Sequence, residues 1–171
     1  DIFQDVLAYV ILLISLLLFH AFFTYSIFLK FVGGLSPITF FKKIKNVALF
    51  AFSTSSSAAT IPVTLKTVNQ DLGVNQNVAS FVVPVGATIN MDGTAIMQGL
   101  ATVFIAQMSG IDLTLFQYGQ VVLLAVATSI GTAAVPSAGT ITLIIILQQF
   151  NLPLEAIGII LAVDRVLDMI R

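Results

Sequence analysis

The apolar positions of this chain fall in long runs, cut at a few places by small and polar residues. Residues 6–29 carry no charge, a run long enough to cross a bilayer as a helix. Lys30 and Gly33-Gly34 close it, so a transmembrane helix is expected over 6–32. Ser36-Pro37 then reads as an N-cap followed by proline at the first helical position. The segment it opens carries Lys42, Lys43 and Lys45. By the positive-inside rule that end faces the cytoplasm.

The second segment does not pattern as an ordinary span. Residues 47–52 are apolar, a Ser/Thr/Ala stretch ending in Pro62 intervenes, and a second arm follows over 63–68. Each arm is too short to cross. Two short arms around a polar tip predict a re-entrant hairpin over 37–69, tolerated where the tip is buried in protein or lines a cavity. Residues 69–77 form a polar loop. Next comes a helix over 78–107, broken in its middle, and after a Gly110–Asp112 turn residues 113–154 carry no charge. That last run is itself broken at 129–139, between apolar arms at 121–127 and 141–147, which predicts a second re-entrant hairpin over 113–150. A final helix starts after Pro153 and covers 153–171. Paired Gly/Pro-interrupted apolar segments are the best sequence-level pointer to a transporter binding site.

Composition turns this pattern into a class. The 171 residues are 58% hydrophobic and 9% charged, with a mean hydropathy of +1.06. Soluble domains carry roughly 25% charged residues, so the expected fold class is an all-α integral membrane protein. A net charge of −1 offers nothing to nucleic acid, and the absence of cysteine excludes disulfides and thiolate chemistry. The chain opens on Asp1, and its first apolar run is too long for a signal peptide core. Arg171 closes an apolar helical pattern without a cap, so the sequence reads as a piece of a longer chain.

Candidate chemistry concentrates where the apolar runs break. Asp92, within Asn90-Met91-Asp92-Gly93-Thr94, is the only charged residue between Asp71 and Asp112. A carboxylate at bilayer depth costs about 2.5–3.5 kcal/mol on insertion scales and survives with a partner or an ion. Pro84, Gly86 and Gly93 weaken regular helix, and a broken helix frees carbonyls for a cation. On the last helix Asp164, Asp168 and Arg171 share one face by their spacing. Two acids against one base leave a carboxylate for a ligand ammonium or a proton, the alternative being an ion-pair ladder. His20 is expected to serve as a helix–helix hydrogen-bonding residue, not a proton relay.

Four segments, taken together and in order, resemble the dicarboxylate/amino acid:cation symporters, the family of the excitatory amino acid transporters and the archaeal aspartate transporter. They are the Ser55-Ser56-Ser57 tip, Asn90 to Thr94, Ser129-Ile130-Gly131-Thr132-Ala133-Ala134-Val135-Pro136, and Asp164-Arg165-Val166-Leu167-Asp168-Met169-Ile170-Arg171. The resemblance covers essentially the whole chain and implies the C-terminal transport core of a secondary active transporter in the plasma membrane. It implies a substrate held between the two tips by Ser55, Ser56, Ser57 and Thr94 and by Val135, Ala138 and Gly139. Asp168 would hold the amino group and Arg171 the distal carboxylate. Sodium ions would be the coupling ions, with no other cofactor. Gly86 and Asn90 would lend carbonyls to one, Thr88 with Ser129, Ile130 and Thr132 would form a second site, and Asn90 and Asp92 side chains a third. The partners implied are an acidic amino acid, sodium, lipid and, through scaffold helices outside this stretch, two further copies in a homotrimer. Ser55 and Met169 stand where family members carry arginines, so the resemblance gives no basis for potassium counter-transport.

Three alternatives stand beside sodium-coupled acidic amino acid symport. A proton-coupled dicarboxylate symporter lies within the same family. An intramembrane aspartyl protease would pair Asp92 with Asp164 or Asp168 around one water, although a Gly-x-Gly-Asp sequence is absent. An ion channel would use the polar tips as a filter.

Overall fold

The computed structural model describes residues 2–171, and among these the regular structure is entirely helical. The first run folds as α1 (Ile2–Phe19), a π-helical turn (His20–Thr24) and α2 (Tyr25–Phe31), continuous over 30 residues. At 1.5 Å per residue this rod is about 45 Å long, and its length and composition suffice to cross a membrane. It ends where expected, with Gly34 in the left-handed region at φ 62°.

Two helical hairpins follow. The first is α3 (Pro37–Thr54) packed against α4 (Ser57–Gln70). Ser36 stands at the N-cap with Pro37 at the first helical turn, as its sequence indicates, but its hydroxyl makes no capping bond. The tip is far tighter than the Ser/Thr/Ala stretch predicts: only Ser55 and Ser56 lie outside helix, and Pro62 sits inside α4. The second hairpin is α7 (Leu115–Ile130) and α8 (Ala138–Gln149), joined by residues 131–137. A reciprocal capping box starts α7, Thr114 and Gln117 each closing the other's backbone N–H. The arms measure about 27, 21, 24 and 18 Å along their axes, each short of the ~30 Å hydrocarbon thickness.

Between the hairpins run α5 (Gln76–Ile89) and α6 (Asp92–Met108). The break predicted here is present, but Pro84 and Gly86 do not make it, since both lie within uninterrupted α5. Asn90 (φ −88°, ψ 81°) and Met91 (φ −112°, ψ 47°) leave helical space instead. After a 3-10 turn at Leu154–Ala156, α9 (Ile157–Ile170) completes the fold.

The core lies where α1, α6, α8 and α9 meet. Tyr9, Leu13 and Leu17 of α1 recur every fourth residue and face Met97, Ala101 and Ile105, with Leu143, Ile146, Leu147, Ile160 and Leu167 closing the cluster. Those spacings select one face of each helix. Outward faces carry Phe31, Phe81, Leu115 and Phe116, all exposed. The buried polar residues are threonines, Ser129, Gln98, Asp164 and Asp168, and Thr60, Thr94, Ser129, Thr132 and Thr140 among them lie within a few residues of the hairpin tips or the α5–α6 break.

Candidate functional site

The two hairpin tips touch. Helix α3 stops because Ser55 turns into the left-handed region at φ 50°, a conformation that costs a non-glycine residue free energy and persists where surroundings enforce it. Ser56 then caps α4, its hydroxyl oxygen accepting from Ala59 N–H at 3.2 Å. The same hydroxyl donates to the Ala134 carbonyl of the second tip at 2.9 Å, and Ala58 N–H donates to that carbonyl at 3.1 Å. The second tip has its own left-handed residue, Ser137 at φ 60°, whose N–H donates to Asp168 Oδ2 at 2.8 Å. Both tips are thus backbone turns tied into the rest of the fold by named hydrogen bonds.

Beneath the tips lies a cavity of about 180 Å³. Its walls come from Tyr25 of α2 and from four further pieces of sequence: Ala51 with Ser55, Ser56 and Ser57; Asn90 to Thr94; Thr132 to Val135 with Gly139; and Asp168 to Arg171. Most of the residues expected to bind substrate therefore share one wall-to-wall space. Ala138 is buried at the start of α8 and does not line it. Gly86, Thr88, Ser129 and Ile130 also lie off this cavity. The hydroxyls of Thr88, Ser129 and Thr132 donate to the Val85, Val126 and Thr128 carbonyls, which leaves their oxygen lone pairs, with the backbone oxygens, to meet a cation.

One wall is a buried charge cluster. Arg171 Nη1 stands 3.3 Å from Asp164 Oδ1, and Nη2 donates to Asp168 Oδ1. Thr140 donates to Asp164 Oδ1 at 2.6 Å. The spacing of these residues along α9 had placed them on one face, and the structure brings them into direct contact. Two carboxylates around one guanidinium leave net negative charge in a dry wall. Such charge is tolerable only with added hydrogen bonds, which Thr140 and the Ser137 amide provide. Asp164 Oδ2 is buried and unpartnered.

Asp92 forms a separate center across the cavity. It starts α6, where the helix dipole favors a carboxylate. Oδ2 accepts from Tyr25 Oη at 3.0 Å and lies 3.2 Å from His20 Nε2. The Asn90 amide nitrogen, in the orientation its neighbors demand, lies 2.7 Å from Oδ1 and 3.0 Å from Oδ2. No backbone N–H reaches the Asn90 carbonyl among the described residues. A carboxylate beside a freed carbonyl, with its side chain 38% exposed, is the oxygen donor set that suits a hard alkali cation. No hydrogen bond joins Asp92 to Asp164 or Asp168 among the described residues, so the carboxylates are not arranged as a shared-proton dyad.

Two residues, Tyr25 and Gln98, escape a reading of the sequence, and a third, His20, is legible there without its partner. His20 does hydrogen-bond across helices, as expected, but its partner is Asp92 itself. Tyr25 carried no signal beyond an aromatic in an apolar run. Gln98, fully buried, donates to Gly139 O at 2.9 Å and Thr142 Oγ1 at 2.7 Å and accepts from Thr128 Oγ1 at 2.8 Å. It ties α6 to both arms of the second hairpin. A lone amide in an apolar helix signals a polar partner, but not which one.

The chain is 39% identical to an excitatory amino acid transporter of Caenorhabditis elegans over 163 residues, 95% of this chain and 32% of that protein. It is 46% identical to excitatory amino acid transporter 2 of Homo sapiens over 136 residues, 80% of this chain and 24% of the relative. Excitatory amino acid transporter 5 of Homo sapiens is 41% identical over 155 residues, 91% and 28%. The chain thus spans about a quarter to a third of the length of these relatives. A model of the sodium:dicarboxylate symporter family matches residues 1–171 in full, and the chain belongs to that family.

Proposed function

We propose that this chain is the transport core of a secondary active transporter that carries an acidic amino acid, glutamate or aspartate, across the membrane with sodium. The observation that carries the reading is the cavity between the joined tips, with Asp168 and Arg171 on one wall and Asp92 with Asn90 on another. Arg171 presents a planar fork that matches a carboxylate with two parallel hydrogen bonds. Asp168, one turn away, is placed for the substrate ammonium group. A small acidic zwitterion then replaces the Arg171–Asp168 ion pair with one contact to each partner. Ser56 and Thr94 border the same space, and the second tip, built of small residues, supplies backbone and closure rather than charge.

Sodium enters the scheme through oxygen ligands. Asn90 and Asp92 side chains serve one ion, the Gly86 and Asn90 carbonyls a second, and Thr88 with Ser129, Ile130 and Thr132 carbonyls a third. Freed backbone at a helix break and half-helix ends are the membrane-protein solution for binding such ions. The apolar outer faces and the short arms support two re-entrant hairpins within a multi-pass protein of the plasma membrane. Translocation follows from moving this core against scaffold helices outside the present stretch, through which three copies assemble as a homotrimer.

Uptake by the full-length protein in proteoliposomes, with sodium and proton gradients imposed separately, tests the reading. Sodium-driven, saturable uptake of glutamate or aspartate is expected. Uptake driven by a proton gradient alone, with succinate as the better substrate, establishes the proton-coupled dicarboxylate carrier instead. Unsaturable flux establishes a channel.

A further inference from the structure

The helix that carries His20 and Tyr25 is not regular where they lie. The Tyr25 backbone N–H bonds to the His20 carbonyl, an i→i+5 ring, and residues His20–Thr24 form one π-turn. On a regular α-helix, residues five apart point roughly 140° away from each other around the axis. The wider π ring removes most of that divergence. As a result the His20 and Tyr25 rings meet edge to face, 4.8 Å between centroids, and both reach the same oxygen, Asp92 Oδ2. Neither proline nor glycine lies in the turn, so nothing local in the chain requires the irregularity. π-turns within α-helices are found mostly at functional positions.

The asymmetry of the carboxylate is the second observation. Oδ2 is crowded by Tyr25, His20 and the Asn90 amide, whereas among the described residues Oδ1 hydrogen-bonds with the Asn90 amide alone. The Tyr25 phenol also borders the cavity, whose other charged groups, Asp168 and Arg171, are paired with each other. The donors on Oδ2 fix the carboxylate plane and leave Oδ1 as the oxygen with capacity for an incoming ion.

We propose that the π-turn is a positioning device: it aligns His20 and Tyr25 on Asp92 Oδ2 so that Oδ1 is presented to sodium, and the pair sets the sodium affinity of this site. Neither residue is a sodium ligand in this scheme, and both act through Asp92. The inference rests on the proposed role of Asp92 as a sodium ligand. Outer hydrogen bonds of this kind orient metal-binding groups, and their loss weakens metal affinity about 10–100-fold in tighter sites.

The test uses the full-length transporter in detergent, with sodium titrated calorimetrically without substrate and substrate affinity then measured at saturating sodium. Tyr25→Phe and His20→Leu should each raise the sodium midpoint by roughly tenfold, and His20→Gln, which keeps an N–H near the Nε2 position, should restore it to within about twofold. At saturating sodium, substrate affinity should change far less than the sodium midpoint does in the two His20 variants. If Asp92→Asn shifts the midpoint but Tyr25→Phe and His20→Leu do not, the Asp92 site stands and the positioning role is wrong. If Asp92→Asn itself leaves the midpoint unchanged, the sodium role of Asp92 fails and this inference fails with it. Equal losses with and without saturating sodium would mean a merely structural role and also overturn the proposal. Tyr25→Phe removes one oxygen atom only, so it decides the matter if the His20→Leu protein does not fold.

Discussion

The Ser56 hydroxyl of the first hairpin tip and the Ala134 carbonyl of the second are hydrogen-bonded at 2.9 Å, across 78 residues of sequence. Ala58 N–H joins the same carbonyl, so the N-terminal end of α4 holds the second tip by two bonds beside the cavity. Ser56 also caps α4, so one side chain couples the local stability of one hairpin to the position of the other.

Ser56→Ala removes both bonds. Loss of an N-cap costs about 0.5–2 kcal/mol, and the Ala134 carbonyl keeps only Ala58 N–H as a donor. The Ser56→Ala protein should show a lower thermal midpoint and a more accessible second tip, read by labelling of a cysteine placed at Ala133. Ser57→Ala, which removes a hydroxyl from the cavity wall without touching the tip contact, should leave both readouts near wild type.

Arg171 and Asp168 should divide substrate recognition between them. Arg171→Cys leaves a distal carboxylate unpaired and should cost acidic substrates roughly 2–5 kcal/mol, as truncation of one partner in a buried charge pair does. Serine and alanine should lose far less, since Asp168 still holds an amino group. Asp168→Asn should reverse the ranking, weakening amino acids more than succinate. Competition assays with glutamate, aspartate, succinate and serine read both variants. Equal loss of acidic and neutral ligands in Arg171→Cys would mean that Arg171 only neutralizes Asp164 and Asp168.

Gly139 is required by close approach, not by backbone angle. A Cβ at this position would lie 2.8 Å from Thr94 Cγ2, 3.3 Å from Met97 Cε and 3.4 Å from Arg171 Cζ. Gly139→Ala therefore displaces the Thr94 methyl and crowds Met97, while Arg171 is left in ordinary contact. Substrate affinity should fall by an order of magnitude or more, on the scale of a misplaced contact, while Gly119→Ala, where a Cβ meets nothing within 4 Å, serves as the neutral control.

Gln98 holds the second hairpin in register. Gln98→Leu is close in volume but strips one partner each from Thr128, Thr142 and the Gly139 carbonyl, which keep bonds within the second hairpin, and each hydrogen bond lost costs about 0.5–1.5 kcal/mol. Reduced thermal stability with faster proteolysis of residues 131–137 is the expected outcome. A Gln98→Leu protein as resistant as wild type would show that the two arms hold their geometry by apolar packing alone.

Local physics decided what the sequence could disclose. The long first helix, the polar interruptions of three apolar segments, and the common face of Asp164, Asp168 and Arg171 follow from helical periodicity and from the cost of charge among apolar neighbors. Those terms depend on residues within a few turns, so a reading of the chain reaches them. The width of the breaks was less legible. Pro62, Pro84 and Gly86 weaken helix in isolation, yet packing of α4 and α5 against neighboring helices carries them through. Tertiary structure alone placed Ala134 under Ser56, set Gln98 between the arms of the second hairpin, and turned His20 and Tyr25 toward a carboxylate 72 and 67 residues away. A π-turn has no signature in the periodicity of an apolar run. It forms because the contacts it permits outweigh the weakened local hydrogen bonding, and those contacts exist only once the helices have assembled.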